Sequence, residues 1–358
     1  MSYPFHDDEL EVIGHLPTRS GIMPLYRFPV TMKENVRATL LKEEPVWECL
    51  GYENQIFTPR IMPENAVRGL VFEAKPFDND TQAGGKDMFG IEWEYIPSVG
   101  GSMVRPGKPF LEDMYDWEEK IKWPDVDAWD WAGSAEENKE YVKTTRALQV
   151  WIQTGWFERL ISFMDFEDAI MALFDDDQQP QILAFFDRLA DLYINIIDHY
   201  ITWFPMITSF YMHDDWGSQK ETFFSPALVE KMIVPSMRKV TDHIHARGYC
   251  AELHSCGQIR KQVPNMIKAG WDTWSGQPMN DARAIYEEYG DQIVVGVIPD
   301  IFDPDATTVE EQRERARAFV REYCRPGRPT VINRMGAEFI TDAFREEVYK
   351  QSRLIYGG

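Results

Sequence analysis

An imidazole and a thiol stand two residues apart in Leu253-His254-Ser255-Cys256-Gly257, where an apolar strand breaks into a loop. Both residue types are scarce, at 7 histidines and 4 cysteines in 358 residues. Together they offer nitrogen and thiolate donors, the set that zinc and other soft cations take. Two ligands are one short of a catalytic zinc site, which uses three protein groups and keeps a fourth position open. A free cysteine is more often a small buried hydrophobe, and a lone histidine a satisfied core group, so a structural role stands beside the metal one. A second polar cluster, His213-Asp214-Asp215, follows the apolar run from Pro205 to Met212. Asp214 reads equally well as a cap. Asp215 or Glu252, held protonated by burial, could act as an acid. Asp215, His254 and Glu252 are therefore the candidate catalytic residues.

These clusters need strand ends to hold them. From about residue 137 the texture is regular, with helical pattern at 137–145, an apolar run at 148–152, and helices at 157–173 and 181–202. The apolar run 205–212 follows, then a helix at 227–247 that ends at Gly248 and feeds a strand at 249–254. Helices at 260–269, 280–289 and 307–323 alternate with strands at 271–273, 292–297 and 330–332. Short strands alternating with longer helices indicate a parallel α/β protein. Repeated units without a glycine-rich fingerprint after the first strand favour a (β/α)8 TIM barrel over a doubly wound sheet. Asp214-Asp215, His254-Ser255-Cys256, Ser275-Gly276-Gln277 and Asp300 each follow a strand, and that face of a barrel carries the active site.

The N-terminal region reads differently. A helix at 24–45 precedes a loop-rich stretch at 55–110 with interleaved proline, glycine and aromatic residues. The acidic, tryptophan-rich tract from Asp113 to Trp131 reads as an exposed linking segment. The expected organisation is an elaborated N-terminal region, 1–136, leading into the main barrel run, 137–358, as one structural domain.

Composition narrows the function classes. A hydrophobic content of 44% supports a large core, and a net charge of −22 argues against nucleic-acid and anionic-membrane surfaces. No stretch approaches 18 uninterrupted apolar residues, and the acidic start has no apolar leader core. Widely spaced cysteines without a CxxC pair fit a reducing, cytoplasmic setting. The 12 tryptophans suit a core and also an aromatic substrate cavity.

Several stretches in their order resemble the uroporphyrinogen decarboxylase superfamily over roughly residues 30–355. They are Gly155-Trp156-Phe157-Glu158, Asp215-Trp216-Gly217-Ser218-Gln219, Ser225-Pro226 through Pro235, Leu253 to Gly257, and Gly270-Trp271-Asp272. The chain is more similar to the corrinoid-linked methyltransferase branch than to the decarboxylases. That resemblance implies a (β/α)8 barrel and methyl transfer between a small molecule and the cobalt of a corrinoid on a separate protein. It implies zinc held by His254 and Cys256 with a distant cysteine near the last strand. That third ligand does not carry over, because this chain has Asn333-Arg334-Met335-Gly336 there. Cys324 ends the helix before the strand, which puts it at the opposite end of a barrel, roughly 17–20 Å from the catalytic face. Asp300, Glu252 or His213 are the alternatives, and Glu252 shares the strand face of His254.

The expected reaction is demethylation of a small methylated molecule, most simply a methoxylated aromatic, with a corrinoid protein as partner. Phe210, Trp216 and Trp274 are candidate pocket walls, Gln219 and Gln277 orienting amides, and Arg60 a substrate-binding cation. Transfer from a methylcobamide to a thiol or to tetrahydrofolate is the runner-up. A decarboxylase-like lyase is a further alternative, weakened by the absence of a recognisable arginine-rich segment and by the acidic composition. The chain lacks the Asp-x-His-x-x-Gly pattern of a corrinoid carrier. A homodimer is the default assembly.

Overall fold

A computed structural model of the chain describes residues 3–18, 21–98, 100–333 and 340–357. Its seven-stranded sheet runs, in spatial order, Thr330–Ile332, Val294–Val297, Thr273–Trp274, Cys250–His254, Ile207–His213, Ala147–Ile152 and Asn54–Phe57. This is the reverse of chain order, with no reversal point. A doubly wound sheet would contain one, so the strands are singly wound, as in barrel-type α/β proteins. The parallel α/β expectation holds in this form. The described residues give seven strands rather than the expected eight. Cys49 adds one isolated parallel bridge to Val331.

The chain divides into two compact units. The first comprises Met1–Gln55, Thr145–Ala147 and Asp272–Gly358. It opens with an antiparallel hairpin, Val12–Thr18 against Gly21–Tyr26. The helix expected over 24–45 is confined to Met32–Leu40, because 21–26 pair as a strand and Thr31 with Glu34 forms a capping box. Thr273–Trp274, Val294–Val297 and Thr330–Ile332 pair in parallel, and the helices Ala282–Tyr289, Val309–Tyr323 and Asp342–Tyr356 belong to this unit.

The second unit comprises Ile56–Thr144 and Leu148–Trp271. Short strands were expected in its early part, and Gly85–Lys86, Glu92–Ile96 and Gly101–Val104 form a three-stranded antiparallel sheet. The tract from Asp113 to Trp131 is not an exposed linker. Trp117 and Trp131 are buried, meeting Phe185 and Tyr200 of the helix Gln179–Trp203 at ring-centroid distances of 5.7 and 5.1 Å. Their apolar area outweighs the acidic residues between them. The helix expected over 157–173 breaks at Asp165, whose φ of 63° ends Trp156–Met164 and opens Phe166–Phe174. Among the described residues no helix is long and apolar enough to cross a membrane.

Candidate functional site

Strand register in the second unit builds the site. Gln149 pairs with Ser209, Trp151 with Tyr211, Tyr211 with Glu252, and His213 with His254. Side chains alternate faces along a strand, so Gln149, Trp151, Ser209, Tyr211, His213, Glu252 and His254 share one face. Their contacts agree. Glu252 Oε1 accepts from Gln149 Nε2 at 2.7 Å and from the Ser209 hydroxyl, while Trp151 Nε1 donates to Gln149 Oε1 at 2.7 Å. The buried Glu252 carboxylate is thereby stabilised through hydrogen bonding.

Above this layer the His213 and His254 rings stack, with centroids 4.1 Å apart and planes 21° from parallel. His213 Nδ1 lies 3.2 Å from Glu158 Oε2, and Arg68 holds that carboxylate at 3.3 Å. His254 Nδ1 meets the Tyr211 hydroxyl at 3.2 Å, and its Nε2 lies 3.1 Å from Cys256 Sγ and 3.8 Å from Asp215 Oδ1. The Cys256 backbone N–H donates to Asp215 Oδ1 at 2.7 Å. Burial lowers both imidazoles, His213 to about 4, and the neighbouring His213 ring adds to the lowering at His254. Neutral rings can stack this closely and keep a lone pair for a ligand. Burial, with the Asp215 charge second, pushes the Cys256 thiol up to about 12. Burial also raises the Glu158 carboxyl against the pull of Arg68.

One donor atom from each of His213, Asp215 and His254 lies within 4.8 Å of the other two. Two imidazole nitrogens and a carboxylate oxygen form a donor set that suits a divalent cation with a position left open, zinc or iron among them. The Glu158 carboxylate on His213 matches the partner that orients metal-binding histidines. Cys256 touches His254 from beside this group but is not one of its three members.

The loops are fixed by close backbone approach. A Cβ on Gly155 would lie 2.4 Å from Asp214 Cβ, so only glycine lets the helix Trp156–Met164 start there. Asp214 is fully buried, accepting from the Glu158 N–H at 3.0 Å and from Trp216 Nε1 at 2.9 Å. It caps the helix that presents Glu158. Burial, with Glu158 second, raises its carboxyl to about 7. Gly257, at φ 97°, packs on Gly217 so tightly that a Cβ would sit 2.3 Å from the Gly217 carbonyl carbon. Gln258 N–H donates to Ser218 O at 2.7 Å, tying the loop after Asp215 to the loop after Cys256.

Of the sequence candidates, Asp215, His254, Glu252, Cys256 and His213 come together on these strand ends. Phe210 does not belong with them. It points to the opposite strand face and packs on Tyr200 and Tyr249 at centroid distances of 6.5 and 5.9 Å. Trp216 is fully buried as the hydrogen-bond donor to Asp214, a positioning contact rather than an open pocket wall. Gln219 is exposed in the turn where Gly217 bridges Thr222. Arg60 is held by Glu73 and by the carbonyls of Lys75 and Pro76 at 3.0 and 3.1 Å.

The remaining candidates lie in the first unit. Trp274 is buried beneath Gly276, Gln277 precedes the short 3-10 turn Pro278–Asn280, and Asp300 is exposed. Cys324 ends its helix as expected, with its buried thiol donating to Glu48 at 3.6 Å. Arg334, Met335 and Gly336, where a third thiol would have been sought, lie outside the described residues. Glu158, Arg68 and Tyr211 were not among the site residues expected from sequence. The Gly155-x-Phe157-Glu158 stretch was the available signal for Glu158.

No protein-family model matches the chain, and no curated protein matches it by sequence. Among solved structures it is similar to a methyltransferase from Methanosarcina mazei, with a TM-score of 0.56 and 13% identity over 90% of this chain and 98% of that one. At that identity the likeness is one of fold.

Proposed function

We propose that the chain is a methyltransferase of the uroporphyrinogen decarboxylase superfamily that takes a methyl group from a small methoxylated aromatic and passes it to a corrinoid on a partner protein. The observation that carries this reading is the convergence of His213, Asp215 and His254 at adjacent strand ends, beside Cys256. The motif resemblance and the fold shared with a methyltransferase support it.

In this reaction the methyl–oxygen bond breaks, the oxygen keeps the electron pair, and the methyl carbon bonds to cobalt. An aryl oxide is a poor leaving group, so developing charge on oxygen must be stabilised. A zinc ion held by His213, Asp215 and His254 would supply Lewis acidity at that oxygen. Glu158 orients His213, and Tyr211 orients His254. Burial keeps both rings unprotonated at neutral pH, so neither needs to shed a proton before binding a cation. The lyase alternative needs cations for its substrate's carboxylates. Arg60 and Arg68 are each already held by a carboxylate, which favours methyl transfer.

The test is incubation of the full chain with 2-methoxyphenol, with and without reduced cobalamin. Catechol and methylcobalamin should form together, and only when both reactants are present. Demethylation that proceeds equally without the corrinoid overturns the reading.

A further inference from the structure

Gln153 is fully buried, and neither its Nε2 nor its Oε1 has a hydrogen-bond partner among the described residues. Buried polar groups are nearly always satisfied, and leaving both ends of an amide unmet is costly. Trp151 pairs with Tyr211 and Ile152 with Met212, so the next residue falls level with His213, which itself pairs with His254. Gln149 and Trp151 lie on the site face, and alternation gives Gln153 that face too. The following backbone is pinned. The Tyr193 hydroxyl donates to the Thr154 carbonyl, and Gly155 abuts Asp214. The strand itself ends at Ile152, and its register carried one residue further puts the held, unmet amide in line with the two stacked imidazoles.

We propose that Gln153 is a substrate-binding residue whose amide reads an oxygen substituent beside the methoxy group of the bound arene. A phenolic hydroxyl matches it, donating to Oε1 while accepting from Nε2. The substrate class rests on the methyl-transfer reading above. The pairing of a two-way amide with a two-way hydroxyl rests on Gln153 itself.

The probes are 2-methoxyphenol, which carries that hydroxyl, and methoxybenzene, which lacks it, titrated calorimetrically into the full chain. Wild type should bind 2-methoxyphenol on the order of tenfold or more tightly than methoxybenzene. Gln153→Leu should lose that preference while still binding methoxybenzene. Its ligand-free Tm should equal or exceed that of wild type, since an unmet buried amide has been removed. A preference kept in Gln153→Leu, no preference in wild type, or no binding of either arene overturns the assignment. So does a lowered Tm, which would mark the amide as structural. Corrinoid methylation is scored separately. Loss of preference without any methyl transfer upholds Gln153 and refutes the methyltransferase; methyl transfer with the preference intact in Gln153→Leu does the reverse.

Discussion

His213 and His254 are register partners on adjacent parallel strands, and their rings stack at 4.1 Å. The two are held by different groups, Glu158 at one Nδ1 and Tyr211 at the other. A carboxylate on a ligating histidine fixes its tautomer and raises its basicity. Glu158→Gln should therefore lower zinc affinity about 10- to 100-fold while the fold is retained. Competition against a chromophoric chelator reads this, and an unchanged affinity would remove Glu158 from the site.

Adjacent residues on one strand should separate cleanly. Phe210 is core, so Phe210→Ala should cost about 3–5 kcal/mol of stability in denaturant unfolding. Tyr211→Phe removes one hydroxyl from His254, and should slow methyl transfer while shifting stability by only about 1 kcal/mol. The reverse pattern would mean that the faces are misassigned.

This strand also shows what the sequence could not convey. The βα alternation and the polar clusters at strand ends were legible, because period and turn signals are local. The site face of Ile207–His213 was not. Its residues up to Met212 are apolar or small enough to be buried on both sides, so no alternation marks the face, and Phe210 was read as pocket wall instead of Tyr211. The Glu158–His213 contact spans 55 positions and requires the parallel packing. The partners of Arg60, Glu73 and the carbonyls of Lys75 and Pro76, lie 13 to 16 positions away and left no local signal. Glu252 sharing a face with His254 followed from period two alone.

Gly155 tests the junction between the two strand-end loops. A Cβ there would lie 2.4 Å from Asp214 Cβ and 2.8 Å from the His213 carbonyl oxygen. Gly155→Ala should cost about 1–3 kcal/mol through overpacking. It should also weaken zinc binding, because the same shift moves His213. Full stability with unchanged affinity would show that the junction yields easily.

The first unit carries a pH dependence of its own. Glu48 is buried, accepting from Thr330 at 2.7 Å and Cys324 at 3.6 Å, and burial pushes its carboxyl from the ordinary 4.5 up to about 8. Below 4.5 it is protonated whether the chain is folded or not. Between that value and about 8 folding takes up a proton, so stability falls with rising pH by up to about 1.4 kcal/mol per unit. Above both values the loss levels off. Glu48→Gln should flatten this fall and raise Tm at alkaline pH relative to wild type, as read by thermal unfolding across the range. Parallel curves for the two proteins would contradict the assignment.

Whether His213, Asp215 and His254 together hold a divalent cation is tested most directly by zinc stoichiometry after equilibrium dialysis. Wild type should bind one zinc per chain, His213→Ala, His254→Ala and Asp215→Ala should each lose it, and Cys256→Ser should retain it. Stoichiometric zinc retained in His213→Ala, or no zinc bound by folded wild type, would contradict it.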